Sequence, residues 1–176
     1  EFVKELAYQA RCGIYMQGTP VSLVYLSSEG TPVATIENSD IYMETLGLEI
    51  NDTEALATKI VATWRSDYLH SENRTMVLRH NIPKYGTQEK QIDFYAYTDR
   101  DLVEKSATFW LIRSANTWKQ VKFSTPLTKL AIEPFDTVTL FIQMAVEEIN
   151  CNAIIMQADY NSDTNQIDFL AWLAIK

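Results

Sequence analysis

A chain of 176 residues with 47% hydrophobic and 22% charged residues carries enough apolar material for its own core, which excludes disorder and any need for disulfide staples. Its net charge of −8 excludes a sequence-independent grip on nucleic acid, which needs clustered Lys and Arg. No apolar run reaches the length of a membrane span and no signal peptide is read, so no membrane span is expected.

The chain opens on Glu1 rather than Met, so a processed product or, more readily, a piece of a longer polypeptide is expected, and Glu1-Phe2 also fits a cloning remnant. Apolar residues at 2, 3, 6, 7 and 10 predict a short amphipathic helix over Phe2–Ala10. Tyr15-Met16 and Val21 to Tyr25 flank Gly18-Thr19-Pro20 and predict a hairpin. Val33 to Ile36 reads as a strand, Asn38-Ser39-Asp40 as a turn or helix cap, and Ile41 to Ile50 as further strand.

Asn51-Asp52-Thr53-Glu54 looks like a helix start, with acid in the first turn. Leu56, Ala57, Ile60, Val61 and Trp64 would then form the buried stripe of a helix fading near Asp67 to His70. Met76-x-Leu78 reads as a strand ending at Asn81-Ile82-Pro83, Lys84 to Lys90 as a polar turn around Tyr85-Gly86, and Gln91 to Tyr97 as another strand.

Asp99 to Ile142 reads as helix, strand, crossing loop, strand. The helix is expected to start near Thr98 as cap and to bury Leu102, Val103, Ala107, Phe109, Trp110 and Ile112. Trp118-x-x-Val121-x-Phe123 and Val138-x-Leu140-x-Ile142 are the strands. Between them, Leu127, Leu130 and Ile132 cover something apolar, and Glu133 to Asp136 makes a turn. Ala153 to Gln157 and Ile167 to Ile175 predict a last hairpin joined by Asp159 to Asn165. Met144 to Asn150 fits no single element. Leu56-x-x-Lys59-x-x-x-x-Trp64 and Leu102-x-x-Lys105-x-x-x-x-Trp110 share a spacing, which suggests two related helix-plus-strand halves.

Chemistry is sparse. His70 and His80 are the only histidines and form no metal-helix pattern. No nucleophile elbow, phosphate loop or dinucleotide fingerprint is present. A hydrolase using either histidine is weighed and set aside, and so are acid–base pairs such as Glu147-Glu148 or Asp99 with Asp101, because surface acids are ordinarily solvated. Asp159-x-Asn161-x-Asp163 resembles the start of a calcium loop, but the sixth and twelfth positions hold Thr164 and Leu170 where Gly and Glu are needed. Cys12 and Cys151 read as two buried free thiols. Asn51-x-Thr53 and Asn73-x-Thr75 match the glycosylation pattern by chance. Tyr95, Tyr97 and Tyr160 are the aromatic residues that a sugar-binding or host-surface-binding module would use. No catalytic, cofactor-binding or metal residues are expected, and no cofactor.

Four stretches carry a resemblance. They are Phe2 to Cys12 with Leu23 to Leu26, then Asn81 to Gly86 ahead of Gln91-Ile92. Ala107 to Trp110 follows with Val121 to Leu127 and Leu130 to Pro134, and last the pair Ala153 to Ala158 and Gln166 to Leu173. In this order they resemble the tail-hub or tail-tip structural proteins of long-tailed bacteriophages and prophages. The resemblance implies an α+β, β-rich fold of barrel-like antiparallel sheets with two or three helices packed on them. It implies a fragment of a larger protein, with a helix-plus-hairpin subdomain over 1–50 and a barrel-like one over 51–176. It implies a non-enzymatic part of a tail tip or baseplate hub, produced in the host bacterial cytoplasm and built into the virion. Its partners would be other tail and baseplate proteins and further copies in a homo-oligomeric ring. One departure stands out: the family's loop ends Pro-Gly-Asp-x-Val, and here it is Pro134-Phe135-Asp136-Thr137-Val138. Phe does not take positive φ as cheaply as Gly, so this turn is expected to differ.

Overall fold

The computed structural model describes residues 2–16, 20–27, 30–50, 56–67, 69, 72–144 and 148–174. The elements run α1 (Phe2–Gln9), β1 (Cys12–Met16), β2 (Val21–Tyr25), β3 (Ala34–Glu37), β4 (Gly47–Ile50), β5 (Lys59–Asp67) and β6 (Glu72–Arg79). They continue α2 (Ile82–Tyr85), β7 (Glu89–Phe94), α3 (Arg100–Ser114), β8 (Trp118–Pro126), β9 (Thr137–Gln143), β10 (Glu148–Asn161) and β11 (Gln166–Ala174). The chain is α+β and β-rich, and it divides into two units. Unit 1 holds Glu1–Leu26 and Asp52–Thr117, and unit 2 holds Ser27–Asn51 and Trp118–Lys176. The chain therefore crosses between them near residues 26, 51 and 117.

Unit 1 pairs β1 with β2 and builds a three-stranded sheet in the order β6-β5-β7, antiparallel on one side of β5 and parallel on the other. The helix expected after Asn51 is instead β5, with Asn51 to Ala55 outside the described residues. Burial alternates along it: Ile60, Ala62 and Trp64 point inward, while Val61 and Thr63 are half-buried. Four β-branched residues, Thr58, Ile60, Val61 and Thr63, lie within six positions, and such side chains lose rotamer freedom in a helix but fit a pleated surface.

Helix α3 packs on this sheet through Val103, Ala107 and Leu111, with Ala115 just beyond its end, one residue per turn. Its cap is Asp99 rather than Thr98: the carboxylate accepts from the Asp101 and Leu102 N–H groups at 2.7 and 3.2 Å. Leu102 and Ile112, expected inside, are about half exposed, and Leu111 and Ser106 are buried instead. Phe2 and Val3 likewise stay exposed on α1.

Unit 2 is one six-stranded sheet in the order β3-β9-β10-β11-β8-β4, antiparallel except where β3 meets β9. Inward-facing Val121, Phe123, Val138, Leu140, Ile142, Ala153, Ile155, Ile167 and Phe169 form its core with Ile36 and Ile41. Among the described strands no sheet closes on itself, so the barrel-like expectation gives way to open sheets with β3 and β4 at the edges. The final hairpin is longer than its composition suggests: pairing continues to Asn161 and Gln166. Only Gly47–Ile50 of the segment after Ile41 is strand, preceded by a 3-10 turn over Met43–Thr45. Ile132 is buried as expected, but Leu127 and Leu130 are exposed.

The Phe135 turn does not avoid the left-handed region. Phe135 has φ 73°, and its N–H donates to the Ile155 carbonyl at 2.6 Å while Ile155 N–H donates to Asp136 O at 2.9 Å. The Asp136 carboxylate accepts from Glu133 N–H at 2.9 Å and closes the turn. These bonds land beside a register shift between Ile155 and Gln157 in β10. Docking onto β10 thus holds a backbone conformation that Gly would adopt at lower cost.

Candidate functional site

His80 is exposed and contributes its backbone N–H to the Thr58 carbonyl, and His70 lies outside the described residues. Asp99 is a helix cap. Glu148 is exposed on β10, and Glu147 lies outside the described residues. Asn161 Oδ1 accepts from the Asp163 and Thr164 N–H groups at 3.0 and 3.4 Å, so the acidic stretch after Asp159 is a turn stabilised by its own side chain. Among the described residues no group of three His, Cys, Asp or Glu is placed to hold a metal.

Cys12 and Cys151 are half-buried and form no disulfide, and one lies in each unit. Asn73 and Thr75 sit exposed in β6, paired with Arg65 and Thr63, while Asn51 lies outside the described residues. Tyr95 stacks on Phe2 with ring centroids 6.0 Å apart, and Tyr97 leans on Phe94 at 6.4 Å. The Tyr160 hydroxyl donates to Asn165 Oδ1 at 2.9 Å. Tyr160 belongs to the other unit from Tyr95 and Tyr97.

What the sequence reading missed is a buried polar latch in unit 1. The Gln9 side chain is 1% exposed. Its amide N–H donates to Asp93 O at 3.0 Å, and its carbonyl accepts from Tyr95 and Ala96 N–H at 3.1 and 3.0 Å. It thereby satisfies the backbone where β7 ends, as a neighbouring strand would. Ser106 Oγ donates to Gln9 O at 2.8 Å, and Trp110 Nε1 to Tyr8 O at 2.8 Å, so α1 is fastened to α3 as well. Tyr8 stacks on Trp110 at 4.1 Å, and burial pushes its phenol up to about 12. The only sequence signal was a Gln within an apolar stripe. Unit 2 uses the same device at Asn38, whose amide donates to Gln143 O at 2.7 Å and accepts from Gln143 N–H at 2.8 Å at the end of β9.

Two guanidinium groups stack on one ring. Arg11 and Arg113 lie 4.1 and 3.6 Å from the Phe109 centroid, and Arg11 is also 5.1 Å from that of Tyr25. Burial first, and then the neighbouring Arg11 charge, lowers the Arg113 guanidinium to about 10, which leaves it charged at neutral pH. Charge is divided unevenly overall. Unit 1 carries eleven basic and eleven acidic residues, and unit 2 carries four and twelve, so the whole net charge of −8 belongs to unit 2. Among the described residues no helix is long and apolar enough to cross a membrane.

Across 99% of its length the chain matches 38% of a chain in the virion of a native gene transfer agent particle, with TM-score 0.69 and 11% identity. It matches 52% of a tail protein from Neisseria meningitidis MC58 over 97% of its own length, with TM-score 0.60 and 12% identity. Prophage tail protein gp18 from Listeria monocytogenes EGD-e is similar over 97% of this chain and 51% of its own, with TM-score 0.57 and 14% identity. At these identities the likeness is one of fold, and the chain spans about half or less of each of these proteins. Among curated proteins none matches this chain in sequence. The family model described as a putative phage tail protein matches residues 1–149, and the chain belongs to that family.

Proposed function

We propose that this chain is a structural part of a phage or prophage tail tip or baseplate hub and has no enzymatic activity. It joins other tail and baseplate proteins through protein–protein contacts, and further copies complete a homo-oligomeric ring in the longer parent protein. On this reading it is made in the host bacterial cytoplasm and ends in the virion. The observation that carries the reading is the fold, shared over nearly the whole chain with a virion chain and with two tail proteins. Charged and polar side chains spent on caps, latches and turns, such as Asp99, Gln9 and Asn161, support it. The test is immunogold negative-stain imaging of particles from a lysogen carrying the parent gene. Label at the tail end, in a ring of fixed copy number, is expected. A parent protein that never enters a particle overturns the reading.

A further inference from the structure

β7 is an outer strand of the β6-β5-β7 sheet, so one of its edges has no strand beside it among the described strands. Gln9 fills that place at the end of β7. Its carboxamide donates to Asp93 O and accepts from Tyr95 N–H, which is how one residue of a parallel neighbour bonds the two residues flanking its partner. Ala96 N–H gives the same oxygen a second bond. The helix that carries Gln9 is lightly anchored. Of the eight residues of α1 only Ala7 and Gln9 are buried, and Phe2 and Val3 are turned to water. Its ties to β7 and α3 include the Phe2–Tyr95 and Tyr8–Trp110 stacks and the bonds that Ser106 Oγ and Trp110 Nε1 donate to the Gln9 and Tyr8 carbonyls.

We propose that α1 is a strap with two positions, seated and lifted, and that it guards the edge of β7. A buried carboxamide is tolerated only while its donor and acceptor are both bonded, so a partly shifted Gln9 is the costliest arrangement. The strap therefore leaves in one step rather than by sliding. A helix of eight residues does not persist alone in water, so lifting α1 also melts it. Lifting turns Asp93 O and the Tyr95 and Ala96 N–H groups to water, and open backbone at a sheet edge is a template for an added strand. Seated, α1 withholds that edge from pairing. β5 keeps both of its neighbours, β6 and β7, in either position, so the sheet stays folded. The proposal stands apart from the tail reading, because it concerns one element and the edge it covers.

Native-state hydrogen exchange on the purified chain, over a series of low denaturant concentrations, tests it. Ala10 N–H, bonded to Leu6 O at 2.9 Å, reports the helix, and the Tyr95 and Ala96 N–H groups report the edge. Ile60 and Ala62 N–H in the central strand report the sheet. Ala10, Tyr95 and Ala96 are expected to exchange with one common opening constant, at least about 100-fold above that of Ile60 and Ala62 and nearly independent of denaturant. Gln9→Ala should raise that constant at least about tenfold, at Ala10 as well as at the edge, and leave Ile60 and Ala62 unchanged. Ser106→Ala should move all three amides in the same direction although Ser106 bonds none of them, and it carries the test if Gln9→Ala does not fold. Exchange of Tyr95 and Ala96 only together with Ile60 and Ala62, or independently of Ala10, overturns the proposal. So does a Ser106→Ala variant in which Tyr95 and Ala96 keep their wild-type protection.

Discussion

Leu56–Trp64 and Leu102–Trp110 place Leu, Lys and Trp at identical spacing, yet the first leads into and forms strand β5 and the second is helix α3. The difference lies in what fills the gaps. Thr58, Ile60, Val61 and Thr63 crowd the first stretch with β-branched side chains, and Thr58 is held by the Gly86 carbonyl and Gln88 N–H at 2.7 and 2.9 Å. The second has Glu104, Lys105 and Ala107 behind an Asp99 cap. Even the two tryptophans differ. Trp110 donates to the Tyr8 carbonyl, whereas the buried Trp64 indole N–H meets no acceptor among the described residues. The shared spacing is therefore no trace of two related halves.

The sharpest way to break this comparison is truncation at neighbouring positions of β5. In a helix Ile60 and Val61 would both lie in the buried stripe, but in the strand they face opposite sides. Ile60→Ala is expected to cost about 3 kcal/mol, and Val61→Ala under about 1 kcal/mol, by denaturant unfolding. Equal losses at the two sites would refute the strand assignment. Next in size is the alkaline limb. Burial raises the Tyr8 phenol from 10.0 to about 12, so its contribution is intact below pH 10 and is lost as pH rises from about 10 to about 12. Arg113 works in the opposite sense: its lowered value penalises folding at neutral pH, and the penalty relaxes as pH rises above about 10. Tyr8→Phe should therefore gain about 1 to 2 kcal/mol relative to wild type between pH 10 and 12. Parallel pH curves for the two proteins would show that Tyr8 titrates normally.

A smaller effect separates the two candidate caps of α3. Asp99→Ala is expected to cost about 1 kcal/mol and Thr98→Ala close to nothing, since only the Asp99 carboxylate meets the first-turn N–H groups. This one-residue error is typical of what was legible. Strands with clean alternation, such as Val138-x-Leu140-x-Ile142, and the α3 helix could be read directly, because period and propensity agree there. The segment after Asn51 could not, because its acidic start and apolar count fit a helix while its β-branched content fits a strand, and pairing with both β6 and β7 decides between them. The Gln9 and Asn38 latches were invisible for a different reason: each depends on a strand end about 85 or 105 positions away in sequence.

Phe135 carries the same lesson at a single backbone position, where intrinsic preference loses to docking. Its φ of 73° is maintained by bonds to Ile155 and by the closed Glu133–Asp136 turn. Replacing it by Gly removes a half-buried ring as well as the steric cost, so that variant alone is ambiguous. Phe135→Ala removes the ring and keeps the Cβ, and the difference between the two variants isolates the backbone term. At an ordinary position Ala is the more stable of the pair, because Gly gains more freedom on unfolding. Here the order should reverse, with Phe135→Gly more stable than Phe135→Ala by up to about 1 kcal/mol. The same pair of substitutions at exposed Lys105 in α3 should give the ordinary order, with Ala better by about 1 kcal/mol. Thermal unfolding of the four variants measures both differences. The same sign at both sites would mean that the turn relaxes out of the left-handed region once the ring is gone, and that Phe135, rather than its docking on β10, holds the turn in place.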